Sequence, residues 1–116
     1  MAITCAYIVA PDAPPTSVNT TLIDESTVEV NYEGPPSELS NGEVISYDVQ
    51  YCPCDPDGCT AQEQIIHSEG TAAITVEGMV RQTFYCFRAA ALTVGGRGPW
   101  SQWIRVITTI AGKHKN

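Results

Sequence analysis

Ile45-Ser46-Tyr47-Asp48-Val49-Gln50-Tyr51 carries an apolar or aromatic side chain at every second position and a polar one between. A repeat of two sets Ile45, Tyr47, Val49 and Tyr51 on one face and Ser46, Asp48 and Gln50 on the other, so the stretch is predicted to be a strand with one buried face. The alternation recurs in Val28-Glu29-Val30-Asn31-Tyr32. Further strands are expected from Ser17 to Ile23, Glu63 to His67, Thr71 to Val76, Thr83 to Leu92 and Trp103 to Thr109. Turn signals separate them at Asp24-Glu25-Ser26, Gly34-Pro35-Pro36, Asn41-Gly42, Asp57-Gly58 and Gly95-Gly96. Seven short strands and no amphipathic helix of about ten residues or more predict an all-β fold, a seven-stranded antiparallel β-sandwich.

A chain of 116 residues supports one core. Its apolar fraction of 43% and charged fraction of 16% are those of a folded domain. Thirteen acidic against six basic side chains give a net charge of −7, which repels phosphate backbones and anionic headgroups and so argues against nucleic-acid or membrane-surface binding. Five cysteines fit an oxidising compartment, and their odd number leaves one over. The opening MAITCAYIVAPDAPP lacks the basic n-region and cleavage site of a signal peptide. The expectation is therefore a piece of a larger extracellular chain: residues 1–10 a linker or added segment, 11–110 the domain, and 111–116 a second linker.

Several stretches, in order along the chain, resemble the fibronectin type III family. Ala13-Pro14-Pro15 is similar to the family's opening proline segment, and Thr27 to Pro35 to its second strand, with Tyr32 where the family usually places a Trp. Tyr47-Asp48-Val49-Gln50-Tyr51 resembles the third strand. Gly78-Met79 followed by Tyr85 resembles the tyrosine corner, with Met for the usual Leu, and Gly96-Arg97-Gly98-Pro99-Trp100-Ser101 resembles the segment before the last strand. The resemblance covers about Pro11 to Thr109 and implies an immunoglobulin-like sandwich.

The stretch Cys52-Pro53-Cys54-Asp55-Pro56-Asp57-Gly58-Cys59 concentrates three cysteines. Zinc would want paired hooks of soft ligands, and both histidines, His67 and His114, are remote in sequence. An EF-hand loop from Asp55 would need an acid at its twelfth position, where Ile66 stands. No Cys-x-x-Cys marks a redox centre. No metal and no cofactor is therefore expected, and disulfides are favoured. In the sandwich that the resemblance implies, the third strand and the strand bearing Tyr85 are antiparallel neighbours. Cys52 and Cys86 then face each other on the outer surface, leaving Cys54 and Cys59 to close the turn. Other pairings of the four remain open. Cys5 is left unpaired or bonded to another chain or domain.

Gly95-Gly96-Arg97-Gly98-Pro99 falls where integrin-binding relatives carry Arg-Gly-Asp; Pro99 supplies no carboxylate, so integrin binding there is unsupported. Trp100-Ser101-Gln102-Trp103 is similar to the start of the Trp-Ser-x-Trp-Ser motif of class I cytokine receptors, whose tryptophans stack with arginines. Only Arg88 is basic among the outward residues of the partner strand, so a short ladder is expected. The alternative is a single Trp over the sandwich edge with Arg88 or Arg97 on it. Trp100 also fits a C-mannosylation acceptor, and Asn19-Thr20-Thr21 is an N-glycosylation sequon. His67 is expected to be a surface strand residue. No catalytic triad or phosphate loop is assembled.

These features predict a non-catalytic extracellular module of a membrane-anchored receptor or adhesion protein, flanked by neighbouring domains of its own chain, that either binds a protein partner or acts as a spacer. The candidate contacts are Ser37, Leu39, Asn41 and Arg97, from loops 34–41 and 93–99 at one end of the sandwich, and Trp100, which follows the second loop. A membrane-proximal cytokine-receptor-type ligand-binding domain and an accessory module of a secreted enzyme are the alternatives.

Overall fold

Alternating residues with β-branched and aromatic side chains pair into two antiparallel sheets in the computed structural model, which describes residues 9–70 and 73–109. The first sheet joins β1 (Ser17–Asp24), β2 (Thr27–Glu33) and β6 (Ile74–Val76) in the order β1-β2-β6. The second is built on β3 (Ser46–Asp55) and β7 (Phe84–Thr93), paired from Ser46↔Leu92 to Pro53↔Tyr85. On the far side of β3 lie the two-residue β4 (Gly58–Cys59) and β5 (Gln64–Glu69). On the far side of β7 lie the two-residue β8 (Gly96–Arg97) and β9 (Ile104–Ile107). Seven longer strands thus form the expected sandwich, and β4 and β8 are short returns of hairpins. The single-turn helix α1 (Ser37–Ser40) occupies part of the loop expected after β2.

The core follows from the period of two. Val28 and Val30 of β2 and Ile74 and Val76 of β6 meet Val49 of β3 and Tyr85, Phe87 and Ala89 of β7, all buried. Tyr32 stacks on Tyr47, with ring centroids 4.1 Å apart, and burial pushes the Tyr32 phenol up to about 12. Ile45, expected on the buried face, instead precedes β3 and is 38% exposed.

Strand β3 runs past Tyr51 through Cys54 to Asp55. The register sets Cys52 opposite Cys86 and Cys54 opposite Cys59. The bonds, however, run along diagonals, joining Cys52 to Cys59 and Cys54 to Cys86 with Cα separations of 5.7 and 5.9 Å. This corrects the expected pairing of Cys52 with Cys86 and Cys54 with Cys59. Strand twist supplies the physical reason: a right-handed twist shortens one diagonal on each side of a strand, forward toward β7 and backward toward β4. The shortened diagonals fall at the Cα separation disulfides prefer, about 5.5 to 6 Å. Cys54–Cys86 spans 32 residues and is worth about 4 kcal/mol in the chain-entropy account; Cys52–Cys59 spans 7 and is worth about 2.5. Cys5, His114, Thr71 and the tail 111–116 lie outside the described residues.

The tyrosine corner is formed as the sequence suggests. The Val80 N–H donates to Tyr85 Oη at 2.9 Å, and Gly78 takes the positive φ of 75° that the bend requires. Thr108, fully buried, locks β9 to the same corner by donating to Val80 O at 2.7 Å and accepting from Thr83 N–H at 3.0 Å. Replacing Tyr85 by Phe removes one partner and strands the Val80 amide. We expect a loss of about 1 to 2 kcal/mol in urea unfolding with an unchanged slope. A loss within error would show the corner to be redundant.

Candidate functional site

Between Phe84 and Leu92 the outward residues of β3 and β7 are polar or small, and what they support is a ladder of rings and cations. Asp48, Gln50, Cys52 and Cys54 point out from β3; Cys86, Arg88 and Ala90 point out beside them from β7. Backbone bonds seat the following segment against β7: Gly98 N–H to Ala91 O at 2.9 Å and Ser101 N–H to Ala89 O at 2.8 Å. Ser101 Oγ also accepts the Ala89 N–H at 3.0 Å, which fixes the two tryptophans flanking it over the sheet.

Arg97, Trp100, Arg88 and Trp103 then alternate. The Arg97 guanidinium lies 4.7 Å from the Trp100 ring centroid, and Arg88 lies 5.0 Å from Trp100 and 4.3 Å from Trp103. A cation held between two indoles is attracted by both quadrupoles, at about 0.5 to 1 kcal/mol per contact at exposed sites. The ladder is longer than the sequence suggested. Arg97 joins it from β8, and both tryptophans participate, so the reading of one covering Trp is replaced. Beyond the ladder, Arg105 stacks on Phe84 at 4.0 Å.

Side chains of β3 aim the guanidinium groups. Arg88 Nε donates to Gln50 Oε1 at 2.7 Å. Burial lowers the Arg88 pKa, the charge of Glu63 opposes the shift, and the group remains a cation. Arg97 donates to Asp48 Oδ2 at 3.1 Å, while Asp48 Oδ1 meets His67 Nδ1 at 2.6 Å and His67 Nε2 meets Glu69 Oε2 at 2.8 Å. Asp48 is therefore a nearly buried side chain held between the Arg97 guanidinium and the His67 imidazole. The hydrogen bond to Asp48, then that to Glu69, raises the His67 pKa above 6.5.

The five expected contact residues do not form one patch. Ser37 and Leu39 are exposed on α1, and Asn41, at φ 59°, ends that helix. Asn41 Nδ2 donates to Ala10 O at 2.9 Å, and Leu39 O accepts the Asp12 N–H at 2.8 Å. Thr93 Oγ1 donates to Val9 O at 2.6 Å, and a side chain at Gly95 would collide with the Val9 backbone. Residues 9–12 thus lie across both loops and tie them to the chain entering the domain. Arg97 and Trp100 belong instead to the ladder. Asn19 is exposed on β1 in the other sheet, and Trp100 is half-buried. Asp48, Gln50, His67, Phe84, Trp103 and Arg105 were not singled out as contacts. The outward position of Asp48 and Gln50 in the alternation was the available signal for two of them.

The family described as fibronectin type III domain matches residues 13–107. Among relatives, neogenin of Rattus norvegicus is 28% identical over 98 residues, 84% of this chain and 7% of its own length. The netrin receptor DCC of Homo sapiens is 27% identical over 93 residues, 80% of this chain and 6% of its own. The cell adhesion molecule Dscam1 of Drosophila melanogaster is 31% identical over 90 residues, 76% of this chain and 4% of its own. The chain thus spans under a tenth of the length of these curated relatives. The third fibronectin III domain of human KIAA0343 protein superposes with a TM-score of 0.74 at 16% identity, over 86% of this chain and 84% of that one.

The Asp48–His67–Glu69 contacts give a pH dependence with a definite sign. A histidine whose folded pKa is raised stabilises the fold fully below its unfolded value of 6.5 and loses that stabilisation as pH rises through the folded value. The thermal midpoint should therefore fall as pH is raised from below 6.5 through this range, and His67→Gln should flatten that slope. An unchanged slope in the variant would show that His67 does not report on the fold.

Proposed function

The chain belongs to the fibronectin type III family, and from that premise we propose that it is a non-catalytic extracellular module of a larger, membrane-anchored receptor or adhesion protein. It resembles modules of cell-surface receptors and adhesion proteins such as netrin receptor DCC and cell adhesion molecule Dscam1. In this reading residues 11–110 form the domain, neighbouring domains of the same chain flank it, and its work is to present a rigid surface to a protein partner or to hold its neighbours apart.

The observation that carries the reading is the stapled and laddered outer face of the second sheet. Two disulfides and alternating arginines and tryptophans make β3, β4 and β7 a stiff platform, and stiffness reduces the ordering cost of binding. The two disulfides support this reading, because such bonds persist in oxidising compartments. The loops 34–41 and 93–99 make a secondary surface, partly occupied by residues 9–12. The ladder is also the observation that favours a cytokine-receptor-type ligand-binding domain. The receptor and adhesion relatives weigh toward the first reading.

Asn19, exposed on β1, and Trp100, at the ladder, are the acceptors of the two proposed glycosylations. The test is to secrete the chain from eukaryotic cells behind an added signal sequence and map linkages and glycans by electron-transfer mass spectrometry without reduction. Cys52–Cys59 and Cys54–Cys86 bonds with a glycan on Asn19 are expected. Four free thiols in the secreted protein would overturn the extracellular reading.

A further inference from the structure

The ladder ends on a ring rather than a cation. From Arg97 the order runs ring, cation, ring, and Arg88 occupies one face of Trp103, which is 40% exposed. A cavity of about 410 Å³ is lined by Trp103 and Arg105 and not by Arg88. That volume falls in the range of ligand sites, about 300 to 1,000 Å³. Its lining also includes Cys59 and Cys86, one half of each disulfide, and the turn Asp55-Pro56-Asp57-Gly58 between β3 and β4.

The charges across this cavity are complementary to a cation. Asp55 and Asp57 are exposed, and among the described residues neither carboxylate forms an ion pair. Asp55 Oδ1 accepts the Asp57 N–H at 2.8 Å, which holds the turn and leaves the second oxygen of Asp55 and both of Asp57 for other donors. Arg105 also lines the cavity but lies over Phe84, leaving two negative charges against one positive in the wall. A net charge of −7 on the chain adds long-range attraction for a basic partner.

We propose that this cavity is a docking site for an arginine side chain of a partner protein, which completes the ladder by stacking on the open face of Trp103 and pairing with Asp55 and Asp57. Guanidinium suits the site better than ammonium, because its plane stacks on an indole and its fork bonds carboxylates in pairs. The inference rests on the reading of the chain as a protein-binding module, and it names where on that module the contact lies and with what chemistry.

The test uses the whole chain, isotopically labelled, titrated with N-acetyl-arginine amide and, separately, with the neutral isostere N-acetyl-citrulline amide. The arginine probe should give saturable shifts at the Trp103 indole N–H and the Asp57 and Gly58 amides. These should weaken as salt is added and fall about tenfold in affinity in the Asp55→Asn/Asp57→Asn variant. Asparagine at position 55 retains the side-chain oxygen that the turn uses, and the salt series on the unaltered chain gives a second readout if the variant misfolds. Equal shifts with the citrulline probe, shifts that avoid the cavity, or stronger perturbation of the same signals by inorganic sulfate acting at Arg105 would each overturn the proposal. Such a failure would remove the arginine site and leave the module reading to the independent linkage and glycan mapping.

Discussion

Both faces of the domain depend on the antiparallel pairing of β3 with β7, an unbroken register of eight pairs from Ser46↔Leu92 to Pro53↔Tyr85. One register decides two surfaces, because successive side chains point oppositely and a slip of one residue would exchange the faces. Inward, it sets Val49 beside Ala89 and Tyr51 beside Phe87. Outward, it sets Gln50 beside Arg88, Cys52 beside Cys86, and Asp48 beside Ala90, whose small side chain fits under the covered outer face. The core and the ladder are thus two readings of one alignment.

The outer face is unusual in how much of it is held. Sheets of this kind can leave one face solvated. Here Cys52, Cys54, Asp48 and Ala90 are buried although they point away from the core. Disulfides cover one end of β3, the indoles and guanidinium groups cover the middle, and the Asp48–His67–Arg97 cluster covers the other end. These clusters also tie in the flanking strands: β4 through Cys59, β5 through His67 and β8 through Arg97. Short edge strands with little buried area of their own are thereby attached to the frame.

How much of this was legible varied with how local the cause was. Alternation in Ile45 to Tyr51 and in Val28 to Tyr32 is a property of consecutive residues, and it located those strands and their buried Val28, Val30, Tyr47 and Val49. The Tyr85 corner was legible through the family resemblance of Gly78-Met79 and Tyr85, a short local stretch that also contains the partner Val80. That Cys52 and Cys86 lie on one outer face also followed from alternation, whereas Cys54 was expected in a turn and lies in β3; which sulfurs bond depends on the twist between strands, and no spacing encodes that. Arg97 was assigned to a loop contact because its place in the ladder depends on the β8 hairpin folding back on β7. His67, expected as an ordinary surface residue, meets Asp48 only through the β3–β5 register.

Arg88 is the side chain on which these claims converge, since its position requires the register, the seating of Ser101 and the stacking of both indoles at once. The most direct measurement is the nuclear magnetic resonance of its side chain. The account predicts δ and ε protons shifted upfield by ring currents, with cross-relaxation to the Trp100 and Trp103 rings and to Gln50. Shifts at unstructured values with contacts to neither indole would contradict the ladder and, with it, the account of the outer face.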